Sequence, residues 1–61
     1  MEIVNTGTSQ RIAVTEAEII NLISEPDKET RIERDGDMLT VYRMNARGLH
    51  WYVVGTWEIQ A

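Results

Sequence analysis

Apolar and polar residues change their rhythm along this chain, and each change marks an element. Ile19, Ile20, Leu22 and Ile23 recur at helical spacing, the stripe an amphipathic helix turns to a core. Ahead of them Thr15-Glu16-Ala17-Glu18 reads as a capping box. The Thr15 hydroxyl accepts a hydrogen bond from the amide of Glu18, and Glu18 reaches back to the amide of Thr15. Val14 before the cap and Ile19 after it suit a hydrophobic staple. Glu16 and Glu18 lie at the positive end of the helix dipole. Pro26 stops the run, because the residue before a proline avoids the α region. The spacing predicts a helix over 16–25.

Beyond it the period becomes two. Asp35-Gly36 is a favoured two-residue hairpin turn, whose central positions need positive φ. On that register Arg34 faces Asp37, Glu33 faces Met38, Ile32 faces Leu39 and Thr30 faces Val41. Ile32, Leu39 and Val41 then share one face, and Glu29, Arg31 and Glu33 the other. Asn45-Ala46-Arg47-Gly48 reads as the loop of a second hairpin. It pairs Met44 with Leu49, Tyr42 with Trp51 and Thr40 with Val53 on one face, and Val41 with Tyr52 and Leu39 with Val54 on the other. Gly55 marks a bulge or bend, after which Trp57 and Ile59 continue the pattern. Before the helix, Ile3-Val4 and Ile12-Ala13-Val14 flank a turn-like 5–9 segment. The later piece reads as a strand; the earlier one pairs with it or frays. The expected fold is α+β: a small antiparallel sheet of three to four strands on one helix, in β-α-β-β-β order. Its helix side is Ile32, Leu39, Val41, Tyr52 and Val54.

Sixty-one residues allow a single domain, 1–61, and a chain this short is marginally stable. It has no cysteine for disulfides, and His50 is its sole imidazole, too few ligands for a closed zinc site. No cofactor is implied. A partner subunit remains as a staple for so small a core. No apolar run approaches the roughly 20 residues that span a bilayer, and the N-terminus lacks a signal peptide's basic start. The expectation is a complete, cytoplasmic gene product. The net charge of −4 points away from direct nucleic-acid binding, which a basic surplus would announce.

Catalysis is not expected. Ser9 lies in a turn, Ser24 near a helix end, and His50 on a strand opposite Arg43, so nothing assembles a nucleophile with its base. Asp35 and Asp37 flank a turn glycine without the spacing of a calcium loop. Two surfaces remain. One is the acidic run Glu25, Asp27, Glu29, Glu33, Asp35 and Asp37. With Glu2, Glu16 and Glu18 it imitates a phosphate backbone, or else it is an ordinary solvated strand and turn, since Arg31 and Arg34 interrupt it. The other is the face away from the helix, with Met38, Tyr42, Met44, Leu49, Trp51 and Val53, and Arg43 and Arg47 nearby. Tyr, Trp, Met and Arg are enriched in interfaces. The expected function is therefore a small acidic inhibitor or adaptor that binds a larger protein, with nucleic-acid-binding proteins among the candidates. Phage and mobile-element products that block a host nucleic-acid enzyme or a CRISPR effector are of this kind. The expected contact residues are Tyr42, Arg43, Met44, Arg47, Trp51, Glu29, Glu33, Asp35 and Asp37. The alternatives are base stacking on the aromatic face and a homodimer through it.

Overall fold

The computed structural model describes residues 1–24, 29–45 and 47–60. Its elements are β1 (Glu2–Asn5), β2 (Arg11–Ala13), α1 (Glu16–Ser24), β3 (Thr30–Asp35), β4 (Met38–Asn45) and β5 (His50–Gln60). The strands form one sheet in the order β2-β1-β5-β4-β3, antiparallel at every pair. The fold is α+β as the pattern predicts. The sheet has five strands rather than three or four, and the chain order is β-β-α-β-β-β rather than β-α-β-β-β.

The extra strand comes from the N-terminal segment, and a turn is its cause. The Asn5 side chain accepts hydrogen bonds from the amides of Gly7 at 2.9 Å and Thr8 at 3.0 Å, an Asx-type turn. Ser9 adopts a φ of 63°, and its amide donates to the Asn5 carbonyl at 2.8 Å. These bonds fold Ile3 back onto Ile12. β1 then docks along β5 with Ile3 opposite Ile59. A four-residue strand shows too little periodicity for its distant partner to be read from sequence.

The helix begins as its capping residues dictate. The amide of Glu18 donates to the Thr15 hydroxyl at 3.1 Å, and that hydroxyl donates to the Glu18 carboxylate at 3.3 Å. The reciprocal contact of Glu18 thus goes to the Thr15 side chain. Val14 and Ile19, the two arms of the staple, are both in the core. Ile19 and Ile23 point inward, whereas Ile20 and Leu22 stay exposed, so only half of the apolar stripe is buried. Glu25 and Pro26, where the pattern ends the helix, lie outside the described residues.

Both hairpins differ in register from the pattern. In the first, Asp35 pairs with Met38, Arg34 with Leu39 and Ile32 with Val41. The turn is Gly36-Asp37 rather than Asp35-Gly36. Gly36 has a φ of 60° and Asp37 is not among the positive-φ residues, the pattern of a type II′ turn, which puts glycine first. In the second, Asn45 pairs with His50, Met44 with Trp51, Arg43 with Tyr52 and Tyr42 with Val53. The loop lies between Asn45 and His50 rather than at 45–48, and its Leu49 has a φ of 54°. His50 therefore lies opposite Asn45, not Arg43. Each shift is by two positions, so side chains keep their faces.

Farther down, Val41 pairs with Gly55 and Leu39 with Trp57. Val54 is the odd residue, a β-bulge one position before the glycine that the pattern marks. The bulge sets Trp57 and Ile59 on the same face as Leu39 and Ile3. That face, with Val14 and Ile19 above it, forms the buried core, and Ile23, Ile32 and Trp57 pack against it. Tyr52 and Val54, expected in the core, are each 49% exposed. The cause is length. A nine-residue helix spans about 14 Å, while the eleven residues of β5 reach about 36 Å, so the β4–β5 hairpin runs out beyond its cover. The molecule measures 38 × 24 × 17 Å. Its accessible surface is 4590 Å², against about 4,000 Å² for a compact chain of this mass.

Two expectations follow. Deleting Val54 leaves an unbroken ladder that still pairs Leu39 with Trp57, so the variant is expected to fold. Near-UV circular dichroism and a cooperative melt check this, and a molten product would refute it. Replacing Thr15 by alanine removes the cap and is expected to cost about 1 kcal/mol, read from urea denaturation.

Candidate interaction surface

The sheet face away from the helix is built by alternation on β3, β4 and β5. The pairs Met44–Trp51 and Tyr42–Val53 place four apolar or aromatic side chains together. Arg31 opposite Tyr42 and Glu33 opposite Thr40 extend the face to the edge strand, and Met38 lies on it farther along. Tyr42 and Met44 are half-buried; Met38, Trp51 and Val53 are exposed. α1 packs on the opposite face, against β3, and residues 1–14 extend the sheet sideways instead of folding over.

Within this face Arg31, Glu33, Tyr42 and Trp51 line a groove of about 170 Å³. Its rim is an ion pair, Arg31 Nη2 to Glu33 Oε1 at 2.6 Å. A broader open depression of about 670 Å³ continues round the outer side of β3 to Ile23, Ile32 and Arg34 on the helix side. Arg31 is the member of the groove missing from the expected contact residues, although the hairpin pattern places it on this face with Glu29 and Glu33. The signal was present: residues 31 and 33 alternate with Ile32, so they share the face that Ile32 leaves.

The other expected residues scatter. Arg43 pairs with Thr30 and Tyr52 on the helix side, away from Tyr42, Met44 and Trp51. Arg47 sits in the β4–β5 loop, its amide held by the Asn45 side chain at 2.9 Å. The carbonyl of Glu29 accepts the amide of Met44 at 2.9 Å, which carries the β3–β4 ladder one step further. Asp35 ends β3 and Asp37 lies in its turn, where its carbonyl accepts the amide of Ile59 at 2.6 Å. Glu25 and Asp27 lie outside the described residues.

Among the described residues the acidic surface is interrupted by cations. Glu2 pairs with Arg11 at 3.2 Å, Glu16 with Arg34 at 2.7 Å, and Glu33 with Arg31. These alternations of sign break any regular row of negative charge. His50 rests against the backbone of Gly48, where an added Cβ would lie 2.8 Å from the ring. Among the described residues no three His, Cys, Asp or Glu side chains are grouped as metal ligands, and no helix is long and apolar enough to cross a membrane. No protein-family model, curated protein or solved structure matches the chain.

The exposed Arg31–Glu33 pair borders the groove without holding up the fold. Arg31→Ala is expected to change stability by less than about 1 kcal/mol, as measured by chemical denaturation. A larger loss would mean that the arginine stem packs on Tyr42 and Trp51 structurally.

Proposed function

We propose that this domain is a small protein-binding module, an inhibitor or adaptor that docks a larger protein through the sheet face turned from the helix. The observation that carries the reading is one-sided cover. The chain lays α1 over one face and, among the described residues, puts no layer over Tyr42, Met44, Trp51, Val53 and Met38 on the other. Sheets that close a core bury such residues, and those that keep them at the surface commonly use them as an interface. Tyr, Trp and Met are rigid or adaptable anchors of the kind that dominate binding energy.

The charges support a protein ligand over a nucleic acid. Arg31, the cation beside the two rings, is tied to Glu33, and Arg43 lies on the opposite face. The aromatic face therefore presents little positive charge to a phosphate backbone. The paired carboxylates of Glu2, Glu16 and Glu33 speak equally against a DNA-like row of negative charge. Asp35 and Asp37, at the end of the first hairpin, fit a basic rim on the partner, where rim charges set the encounter rate more than the affinity. A host nucleic-acid enzyme, with such a basic surface, is the class of partner this arrangement suits.

Affinity capture from nuclease-treated lysate tests this reading, with wild type compared against the Tyr42→Glu/Trp51→Glu variant. A protein retained by the wild type and lost by the folded variant supports it; capture that both share overturns it. For the partner so found, Trp51→Ala is expected to weaken binding by more than about 2 kcal/mol, measured by calorimetry.

A further inference from the structure

The outer half of β5 has an open side. Met44 donates its amide to Glu29, just before β3, so its neighbours Arg43 and Asn45 turn their backbone groups to β5, opposite Tyr52 and His50. Trp51 and Val53 consequently turn their N–H and C=O groups away from β4, towards the lane that β1 occupies farther along. β1 pairs only with residues 57–60 of β5. The amide of Thr6 on the Thr56 carbonyl, at 3.0 Å, marks its end. Beside residues 51–53 no strand lies among the described residues, and a notch of about 340 Å³ opens there between residues 5–8 and 53–56.

This open edge lacks the usual protection. Exposed edges are commonly blunted by charges or proline, and β3 carries Arg31, Glu33, Arg34 and Asp35. Residues 48–57 carry no charge at all, the longest such stretch in the chain. The same strand is apolar on both faces, with Trp51 and Val53 on one and Tyr52 and Val54 on the other, all exposed. A strand that covers both faces must itself be apolar on both faces. It must also bring no carboxylate to the contact itself, and residues 48–57 of a second copy bring none, although each whole chain carries a net charge of −4.

We propose that the occupant is a second copy of this chain, paired antiparallel through β5 across a two-fold axis at Tyr52. In that register Trp51 of each copy exchanges two backbone hydrogen bonds with Val53 of the other. Each indole lies over a β-branched neighbour on the bare face, a favourable cross-strand pair. The bulge at Val54 ends the lane, so the contact is short. It is smaller than the roughly 800 Å² per partner of a standard interface, and the dimer is weak and concentration-dependent. The dimer uses the backbone edge of β5 and the protein-binding reading the face at Tyr42; Trp51 and Val53 contribute side chains to both, and Tyr42→Glu separates them.

Sedimentation equilibrium between about 1 µM and 1 mM, with Val53→Pro and Tyr42→Glu as variants, tests it. The Val53 amide faces the open lane, so proline there spares the β4 ladder and removes only the outward donor. A wild-type dimer, at least tenfold weaker in Val53→Pro and unchanged in Tyr42→Glu, is the expected result. Hydrogen exchange on the wild type gives a second reading that needs no variant: the Trp51 and Val53 amides slow with concentration while others do not. A wild type monomeric up to 1 mM overturns the proposal, as does a dimer indifferent to Val53→Pro. A dimer lost in Tyr42→Glu assigns association to the groove face instead and overturns it too.

Discussion

Between Val53, which faces Tyr42, and Gly55, which faces Val41, β5 carries one residue more than a regular ladder holds. Regular pairing from the hairpin tip would place Leu39 opposite Thr56 and turn Trp57 and Ile59 to the bare side. The bulge at Val54 takes up the odd residue and brings Trp57 and Ile59 onto the face of Leu39. Ile59 then meets Ile3, so β1 has a reason to dock, and Ile19 closes over the group as its one fully buried large side chain. With stability of such a domain on the order of a few kcal/mol, these few contacts decide whether it folds.

The same geometry divides the molecule into a covered half and an uncovered half. The helix is too short for the hairpin it packs beneath, so the core sits at the β1 end of β5 and the tip extends past it. Exposure of Tyr52 and Val54 is a consequence of that mismatch, whereas the openness of the β5 edge follows from β1 ending opposite Trp57. Apolar surface concentrated at one end of an elongated domain is what a recognition module needs, since cover and contact are then supplied by different parts of the sheet.

Charge plays a supporting part. Arg11, Arg31 and Arg34 each hold one carboxylate at the surface, and exposed pairs of this kind add little stability. Their effect is on the pattern of potential. Of the acidic run the pairing takes up Glu33, while the first hairpin turn keeps negative charge at Asp35 and Asp37, beside Glu58 of β5 and away from the uncharged residues 48–57.

Local chemistry was legible from the sequence alone. Thr15 and Glu18 announced the cap, the glycines announced a turn and a bulge to within one position, and alternation assigned Met38, Tyr42, Met44, Trp51 and Val53 to one face. A slip of two residues in both hairpins left that assignment intact, because side chains repeat every second residue. Tertiary structure alone decided the fifth strand, since the partner of Ile3 is 56 positions away at Ile59 and a short segment carries no mark of so distant a neighbour. It also decided which apolar residues are buried. Tyr52 and Val54 match Leu39 and Val41 in character, yet they lie beyond the reach of the helix, and burial depends on what covers a face rather than on what the face is made of.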